Sequence, residues 1–453
     1  MQLTLDEIIS ATGAKILKNE TKFGEKFTIS TDTRTIKTGE LYLPLKGENF
    51  NGEEFIDKAI DAGAVGYFCT ESAKCKGQSA KCNLIIEVND TLTAYLQLAR
   101  YCRRKINPIT IAITGSSGKT TTKEMAYCVA AEKFRTHKSE LNFNNEIGLC
   151  KTILSMPVDT QVLILEMGMR GLGEIELLSK YAEPDIAIIA NVGTAHIGRL
   201  GSRENIAKAK CEIVKYLKES GTLIAHDDEL IKKARGQEGK RASLYFSLNN
   251  VEFIKREIGY TKFRYNNHEY ELNIEGDYNV QNSLAAIEMG LKLDMKEEEI
   301  AKGLKKYSPI EKRWEIEEIK GFKIINDSYN ANPESMQAAI KTALDVYQPP
   351  LLFVLGDMGE LGENEVEYHR QIGEFLLSNL KNSVEVVTVG KLANEITKIL
   401  AENGINSQNF SDNLQTSCYI LENVEVGTTI VFKASRAMKF EEIVQGVKCE
   451  KNV

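Results

Sequence analysis

The sequence predicts an α/β protein of three domains, on three observations. The first is the stretch ITIAITGSSGKTTTKE, residues 109–124, where a β-branched apolar run meets two glycines and then a breaker-free segment with Met125, Cys128 and Val129 at helical spacing. The second is an alternation of short apolar runs with helical periodicity, the pattern of parallel sheets covered by helices. The third is length, because 453 residues exceed what a single hydrophobic core serves. Together they divide the chain into a small α/β N-terminal domain over residues 1–88, a central P-loop ATPase-like parallel sheet over 89–310, and a C-terminal Rossmann-like domain over 311–453.

The N-terminal part carries short strands and a helix, including TISTDTRTIKTGELYLPLKGENF and EEFIDKAIDAGA. Thr33, Arg34, Lys46 and Asn49 lie in or beside its turns. Polar side chains on turns that face solvent are ordinary, and that accounts for these residues equally well. The helix TLTAYLQLARYCRRKI then leads into the strand Ile109–Ile113.

At the end of that strand Gly115 and Gly118 bracket Ser116 and Ser117, and Lys119, Thr120 and Thr121 open the helix. Glycines let backbone amides turn inward onto an anion, and the helix N-terminus adds its positive end. Lys119 is placed to reach the β and γ phosphates, and Thr120 has the hydroxyl such sites use on magnesium. A cation in the first turn is disfavoured by the helix dipole unless an anion sits opposite it, so a plain glycine turn leaves Lys119 unexplained.

Further strands read at QVLILEMG and DIAIIANVG, and ligands bind at the carboxyl ends of strands in such sheets. Glu166 closes the run VLIL, where a carboxylate can hold magnesium. His196, one of five histidines, lies just past the next strand end. In SRENIAKAKCEIVKYL, read as one helix, Lys210 falls on the apolar stripe of Ile206, Ile213, Val214 and Leu217, whereas Lys208 does not. Burial there lowers a lysine's pKa and exposes a neutral amine; a snorkelling stem is the bland alternative. From these strands to residue 310 the β and α patterns are expected to keep alternating.

Asn279 and Asn282 stand one helical turn apart in EGDYNVQNSLAAI and can face a common ligand, though as a helix start the segment is unremarkable. Beyond it, strands FKIIND, LLFVLGD, VEVVTVG and TIVFKAS alternate with helices. Asn332 followed by Pro333 starts the helix PESMQAAIKTAL by cap chemistry, which leaves Asp327, Tyr329 and Asn330 without a local explanation.

Composition narrows the function. A net charge of -7 with scattered lysines argues against nucleic-acid or polybasic membrane binding. The N-terminus MQLTLDEIISATG has no basic start before an apolar core, and no apolar run reaches membrane-spanning length, so a cytoplasmic protein is expected. Nine cysteines occur singly; Cys69, Cys75 and Cys82 lack the close pairing of a zinc or redox site, and buried free thiols are expected.

The loop Gly-x-x-Gly-Lys-Thr-Thr at 115–121 resembles that of the Mur ligase family, ATP-dependent enzymes of bacterial cell-wall precursor synthesis. The likeness extends through Asp-Thr-Arg at 32–34, ELNFNNEIG, NVGTAHIG, Lys210, Asn282, Arg313 in KRWE, the run Asp327 to Pro333, GDMGELGE and KASRAMKFEE. It implies an amide ligase that uses ATP, two Mg2+ ions and a carbamylated Lys210. The segments at 327–333 and 356–363 are most similar to members that join D-alanyl-D-alanine to UDP-N-acetylmuramoyl-tripeptide. The resemblance implies metal contacts at Thr120, Glu166, His196 and Lys210, with Lys119, His196 and Lys210 serving catalysis. It implies nucleotide contacts over Gly115–Thr121 and at Asn282, Arg313 and Asp327. Substrate contacts are implied at Thr33, Arg34, Lys46, Asn144, Asn145, Tyr329, Asn330, Ser435 and Arg436. A monomer is expected. Open alternatives are a family member adding the third stem residue, a nucleotide-driven switch, and a small-molecule kinase.

Overall fold

A computed structural model describes residues 1–22, 24–47, 50–70, 82–236, 242–310, 312–380 and 383–449; Asn49 and Cys75 lie outside them. At the centre is a six-stranded sheet, parallel throughout. Its strands, in spatial order, are Thr136–Lys138, Val162–Glu166, Ile109–Thr114, Ile186–Ile189, Thr222–His226 and Ala242–Phe246. Strand order reverses at Ile109–Thr114, which has later strands on both sides. This reversal opens a crevice at the carboxyl ends of the central strands.

The period of two along each strand decides what covers each face. Ile111, Ile113, Ile164, Ile186 and Ile188 share one core with Met125 and Val129 of the helix Lys119–Ala130 and with Val280, Leu284 and Ile287 of the helix Asp277–Lys292. Ala112, Leu163, Leu165, Ala187 and Ile189 share the other with the helices Thr91–Ile106, Glu146–Ser155, Glu174–Ala182 and Arg203–Cys211. Each core continues into a neighbouring part of the chain. The first takes in Ile325, Met336, Ile340 and Phe353, and the second takes in Leu3, Ile8, Leu41, Phe68 and Ile86.

The N-terminal sheet runs Lys15–Asn19, Leu84–Glu87, Gly66–Cys69, Leu41–Tyr42 and Ile29–Ser30, with only the first pair antiparallel. The C-terminal sheet runs Glu315–Ile319, Phe322–Asn326, Thr429–Lys433, Leu351–Gly356, Val384–Val389 and Ser407–Phe410, again antiparallel only at its first pair. Asn332 caps the helix Pro333–Val346, with proline in its first turn, as the local chemistry requires.

Two expectations need correction. The β and α patterns do not simply alternate to residue 310, because Glu252–Glu257, Tyr260–Tyr265 and His268–Leu272 form an antiparallel meander. Its middle strand buries Thr261, Phe263 and Tyr265, a period-two pattern set among charged residues. The lysine helix also stops at Cys211 and passes into a 3-10 turn, Glu212–Val214, so the stripe is carried by two elements. The eight described cysteines are free, five of them buried. Among the described residues no helix is long and apolar enough to cross a membrane.

Candidate active site at the carboxyl end of the central sheet

Gly118 has φ +71, and a Cβ there would lie 2.3 Å from Asn282 Oδ1, so the turn admits only glycine. Asn282 is thereby seated directly on the loop, where it also accepts from Thr122 Oγ1 at 3.4 Å. Asn279 does not join it, since its amide donates to the Glu275 carbonyl at 2.7 Å. The amides of Ser116 and Ser117 donate to Asn191 Oδ1 at 3.1 and 2.9 Å, and Asn191 Nδ2 returns two bonds to Ser117 at 3.0 Å. Asn191, at the next strand end, therefore fixes the loop. Its place in NVGTAH was readable, but its partner was not.

Lys119 folds its ammonium back onto the Gly115 carbonyl at 2.8 Å. Burial lowers its pKa, and Arg313 adds to that against the opposing pull of Glu166 and Glu360. Thr120 and Thr121 are buried in the same turn. Lys210 is 1% exposed while Lys208 is exposed, as the periodicity predicted. Burial, reinforced by Lys119, holds the Lys210 ammonium well below the usual lysine range.

Glu166 is paired in the sheet with Ile113 and buried. Its Oε1 accepts from Asn144 Nδ2 at 3.0 Å, so two predicted residues meet. Its Oε2 is buried with no hydrogen-bond partner. Asn145, by contrast, is the exposed cap of the following helix, accepting from Gly148 N at 2.9 Å. The helix beginning Lys119 also supplies Lys123, which no sequence motif singles out: its buried ammonium lies 3.6 Å from Glu166 Oε2.

His196 sits in the left-handed region, φ 66, at the start of a short helix. Its Nδ1 pairs with Glu360, which stands in the left-handed region itself. His196, followed by Arg199 and Arg170, lowers the Glu360 carboxyl pKa. Gly198 N donates to the Glu360 carbonyl at 3.1 Å, and a Cβ on Gly198 would lie 2.4 Å from Gly362 N. Thr194 Oγ1 donates to Glu334 Oε2 at 2.8 Å. Glu334 and Glu360 were invisible as site residues because their contacts lie far off in sequence.

From the C-terminal part, the Arg313 guanidinium stacks on the Tyr329 ring at 4.0 Å, with its Nε buried and unpartnered. Asp327 accepts from Lys433 Nζ at 2.6 Å. Ser435 is buried and donates its backbone N–H to the Asp357 carbonyl at 3.0 Å, while exposed Arg436 pairs with Glu441 at 3.0 Å. Asn330 is exposed. In the N-terminal part, Arg34 holds the Asp32 carboxyl down to about 2, and Lys151, near the asparagine loop, adds to the pull. Thr33 lies half-buried in this turn, and Lys46 is exposed on a hairpin with Asn51.

Sequence comparison gives matches to the Mur ligase family catalytic domain over residues 28–103, the Mur ligase middle domain over 113–290 and the Mur ligase glutamate ligase domain over 312–436. The chain is 38% identical to a UDP-N-acetylmuramoyl-tripeptide--D-alanyl-D-alanine ligase of Bacillus subtilis, covering 92% of each. A crystal structure of MurF from Acinetobacter baumannii matches with a TM-score of 0.88 and 27% identity, covering 99% of both chains. MurF ligase from Thermotoga maritima, in complex with ADP, matches at 0.81 and 27%, covering 93% of this chain and 97% of that one. By sequence along almost its whole length, by three-part fold and by its phosphate loop, the chain belongs to the Mur ligase family.

Proposed function

We propose that this chain is an ATP-dependent ligase that joins D-alanyl-D-alanine to UDP-N-acetylmuramoyl-tripeptide, releasing ADP and phosphate, in cytoplasmic synthesis of peptidoglycan precursors. The observation that carries this reading is the phosphate loop, with half-buried Lys119 and buried Lys210 and Glu166 around it, in a chain whose relatives of that name match it nearly end to end.

Amide formation from a carboxylate needs a leaving group. The substrate carboxylate oxygen bonds to the γ-phosphorus as the bond to ADP breaks, giving an acyl phosphate. The dipeptide nitrogen then bonds to the acyl carbon, the bond to phosphate breaks, and the surplus amine proton passes to the medium. The first step brings anions together, so catalysis is chiefly charge neutralisation and positioning. Lys119, the amides of the helix start and Arg313 supply positive charge for the transferring group. Asn282 and Asp327 border the nucleotide.

Among the described residues no three His, Cys, Asp or Glu side chains cluster as a metal cage. One carboxylate with a buried oxygen that takes no hydrogen bond suits Mg2+, which takes few protein ligands together with substrate phosphates. Thr120 and Glu166 would hold one ion. His196 and a carbamate formed on Lys210 by CO2, with loss of a proton, would hold a second. Bound magnesium would neutralise triphosphate charge. Glu360 takes His196 Nδ1 and so leaves Nε2 for a ligand, the arrangement in which a carboxylate orients a metal-binding imidazole.

In this reading residues 1–88 bind the UDP-muramoyl part, with Thr33, Arg34, Lys46, Asn144 and Asn145 as contacts. Residues 89–310 bind ATP. Residues 311–453 close on ATP and take the dipeptide, with Tyr329, Asn330, Ser435 and Arg436 facing it, and the chain acts as a monomer. The test is phosphate release from ATP with magnesium, the nucleotide tripeptide and the dipeptide, each omitted in turn, with product mass read alongside. Release that needs both organic substrates, with a mass gain of the dipeptide less water, is expected. Release that ignores both would overturn the proposal in favour of a nucleotide-driven switch.

A further inference from the structure

Lys123 is one helical turn beyond Lys119, and its side chain is fully buried. A buried ammonium persists only where charge and hydrogen bonds compensate it. Three groups do so, and they belong to three different segments. Leu141 O accepts a hydrogen bond at 3.1 Å, Glu124 Oε1 lies at 3.4 Å on the same helix, and Glu166 Oε2 lies at 3.6 Å at a strand end. Lys138 in turn pairs with Glu124, which ties that carboxylate to the neighbouring edge strand.

The last distance is informative. At 3.6 Å the ammonium compensates the Glu166 charge without taking Oε2 in a hydrogen bond, and that oxygen has no other partner. The one good hydrogen bond from Lys123 goes instead to Leu141, whose φ of 47 turns the chain into the asparagine loop. That loop returns to the same carboxylate. Asn144 Nδ2 donates to Glu166 Oε1, and Gly168 N donates to Asn144 O at 2.7 Å. A Cβ on Gly168 would lie 2.9 Å from the Asn144 carboxamide, so the loop is closely seated. Lys123, Leu141, Asn144 and Glu166 thus form a closed circuit. It joins the phosphate-loop helix to the loop that the ligase reading places on the nucleotide-peptide substrate.

We propose that Lys123 is a positioning residue that couples the phosphate site to the asparagine loop, so that filling one sets the other for binding. Lys123 touches neither reacting atom. It fixes the Leu141 carbonyl and balances Glu166 while leaving Oε2 free. The inference rests on the ligase reading, and coupling of this kind is reciprocal between the two ligands.

The test is a binding cycle on the full chain. Calorimetry measures the Kd of UDP-muramoyl tripeptide with and without a non-hydrolysable ATP analogue and magnesium. The wild type is expected to bind the tripeptide at least about fivefold tighter with the analogue present. Lys123→Met should bring that ratio close to one, and Lys123→Arg, which keeps the cation, should retain most of it. A ratio unchanged in Lys123→Met overturns the proposal. So does a wild type with no coupling. Hydrogen exchange over residues 139–146 of the wild type gives a second readout that does not depend on the variant folding: the analogue with magnesium should slow exchange there, and unaltered exchange overturns the coupling. A wild type that binds neither ligand would overturn the ligase reading itself.

Discussion

The two ends of the central sheet bury charge in opposite ways. At the amino end, the Arg103 side chain is 3% exposed and fully matched. Its guanidinium donates to the Glu183 carbonyl at 2.8 Å, to the Glu183 carboxylate at 3.3 Å and to Thr110 Oγ1 at 3.3 Å. Arg100 and Arg104 share Glu183, and Lys218 and the Thr110 amide share Asp185, each at 2.8 Å. At the carboxyl end, Lys119 stands as a like charge against both Lys210 and Arg313, and neither Arg313 Nε nor Glu166 Oε2 has a hydrogen-bond partner. Desolvation opposes both arrangements. One end satisfies it internally and locks three segments together; the other leaves positive charge and open donors that only an anion and its counter-ion complete.

The sharpest way to break that contrast is to remove a cation from each end. Lys119→Met should lower kcat by about a thousandfold, the loss typical of a group that stabilises transition-state charge, while the melting temperature stays within a few degrees of the wild type. Arg103→Met should do the reverse: a loss of about 3 kcal/mol of stability in urea titration, because Glu183 and Asp185 lose a buried partner, with kcat per folded molecule unchanged. Lys210→Met separates the ends further. Turnover should fall by about a hundredfold, yet thermal stability at neutral pH in CO2-free buffer, where the wild-type lysine carries no carbamate, should rise. The wild-type fold depresses this ammonium's pKa, so the unfolded chain binds more protons between the folded value and the ordinary lysine value. Wild-type stability therefore climbs with pH across that window, and the methionine variant should lack the slope.

The smallest effect belongs to acid. Burial favours the neutral form of Glu183, but Arg104 and Arg100 overcome it and bring the carboxyl to about 2. A depressed carboxyl stabilises the fold above the ordinary glutamate value, and that contribution drains away as pH falls toward 2. Glu183→Gln should flatten the pH dependence of the urea midpoint in that window and leave it unchanged above.

Much of the carboxyl end was legible in the sequence because its chemistry is local. Gly118, Lys119 and Thr120 stand in one turn, and the inward place of Lys210 follows from its spacing to Ile206. What stayed hidden depends on distant segments meeting. Glu166 and Asn144 are 22 residues apart, and His196 and Glu360 follow strands of different sheets. Lys123 reads as one more surface lysine until the asparagine loop folds over it. The meander at 252–272 escaped because its outward residues are so densely charged that the three buried ones of its middle strand stood out poorly. Nothing in the spacing of the N-terminal turn marks what Thr33 or Lys46 touches.

The meeting of Gly198 with Gly362 has a consequence of another kind. Most contacts in a protein weaken when atoms are lost, and such losses come in graded sizes. This one fails only when atoms are added, because a Cβ at either position would fall 2.4 or 2.5 Å from the opposite backbone. Every possible replacement is an addition, so the seam between the central and C-terminal parts has no mild variants. These two positions can only stay as they are or wedge the parts from their present fit.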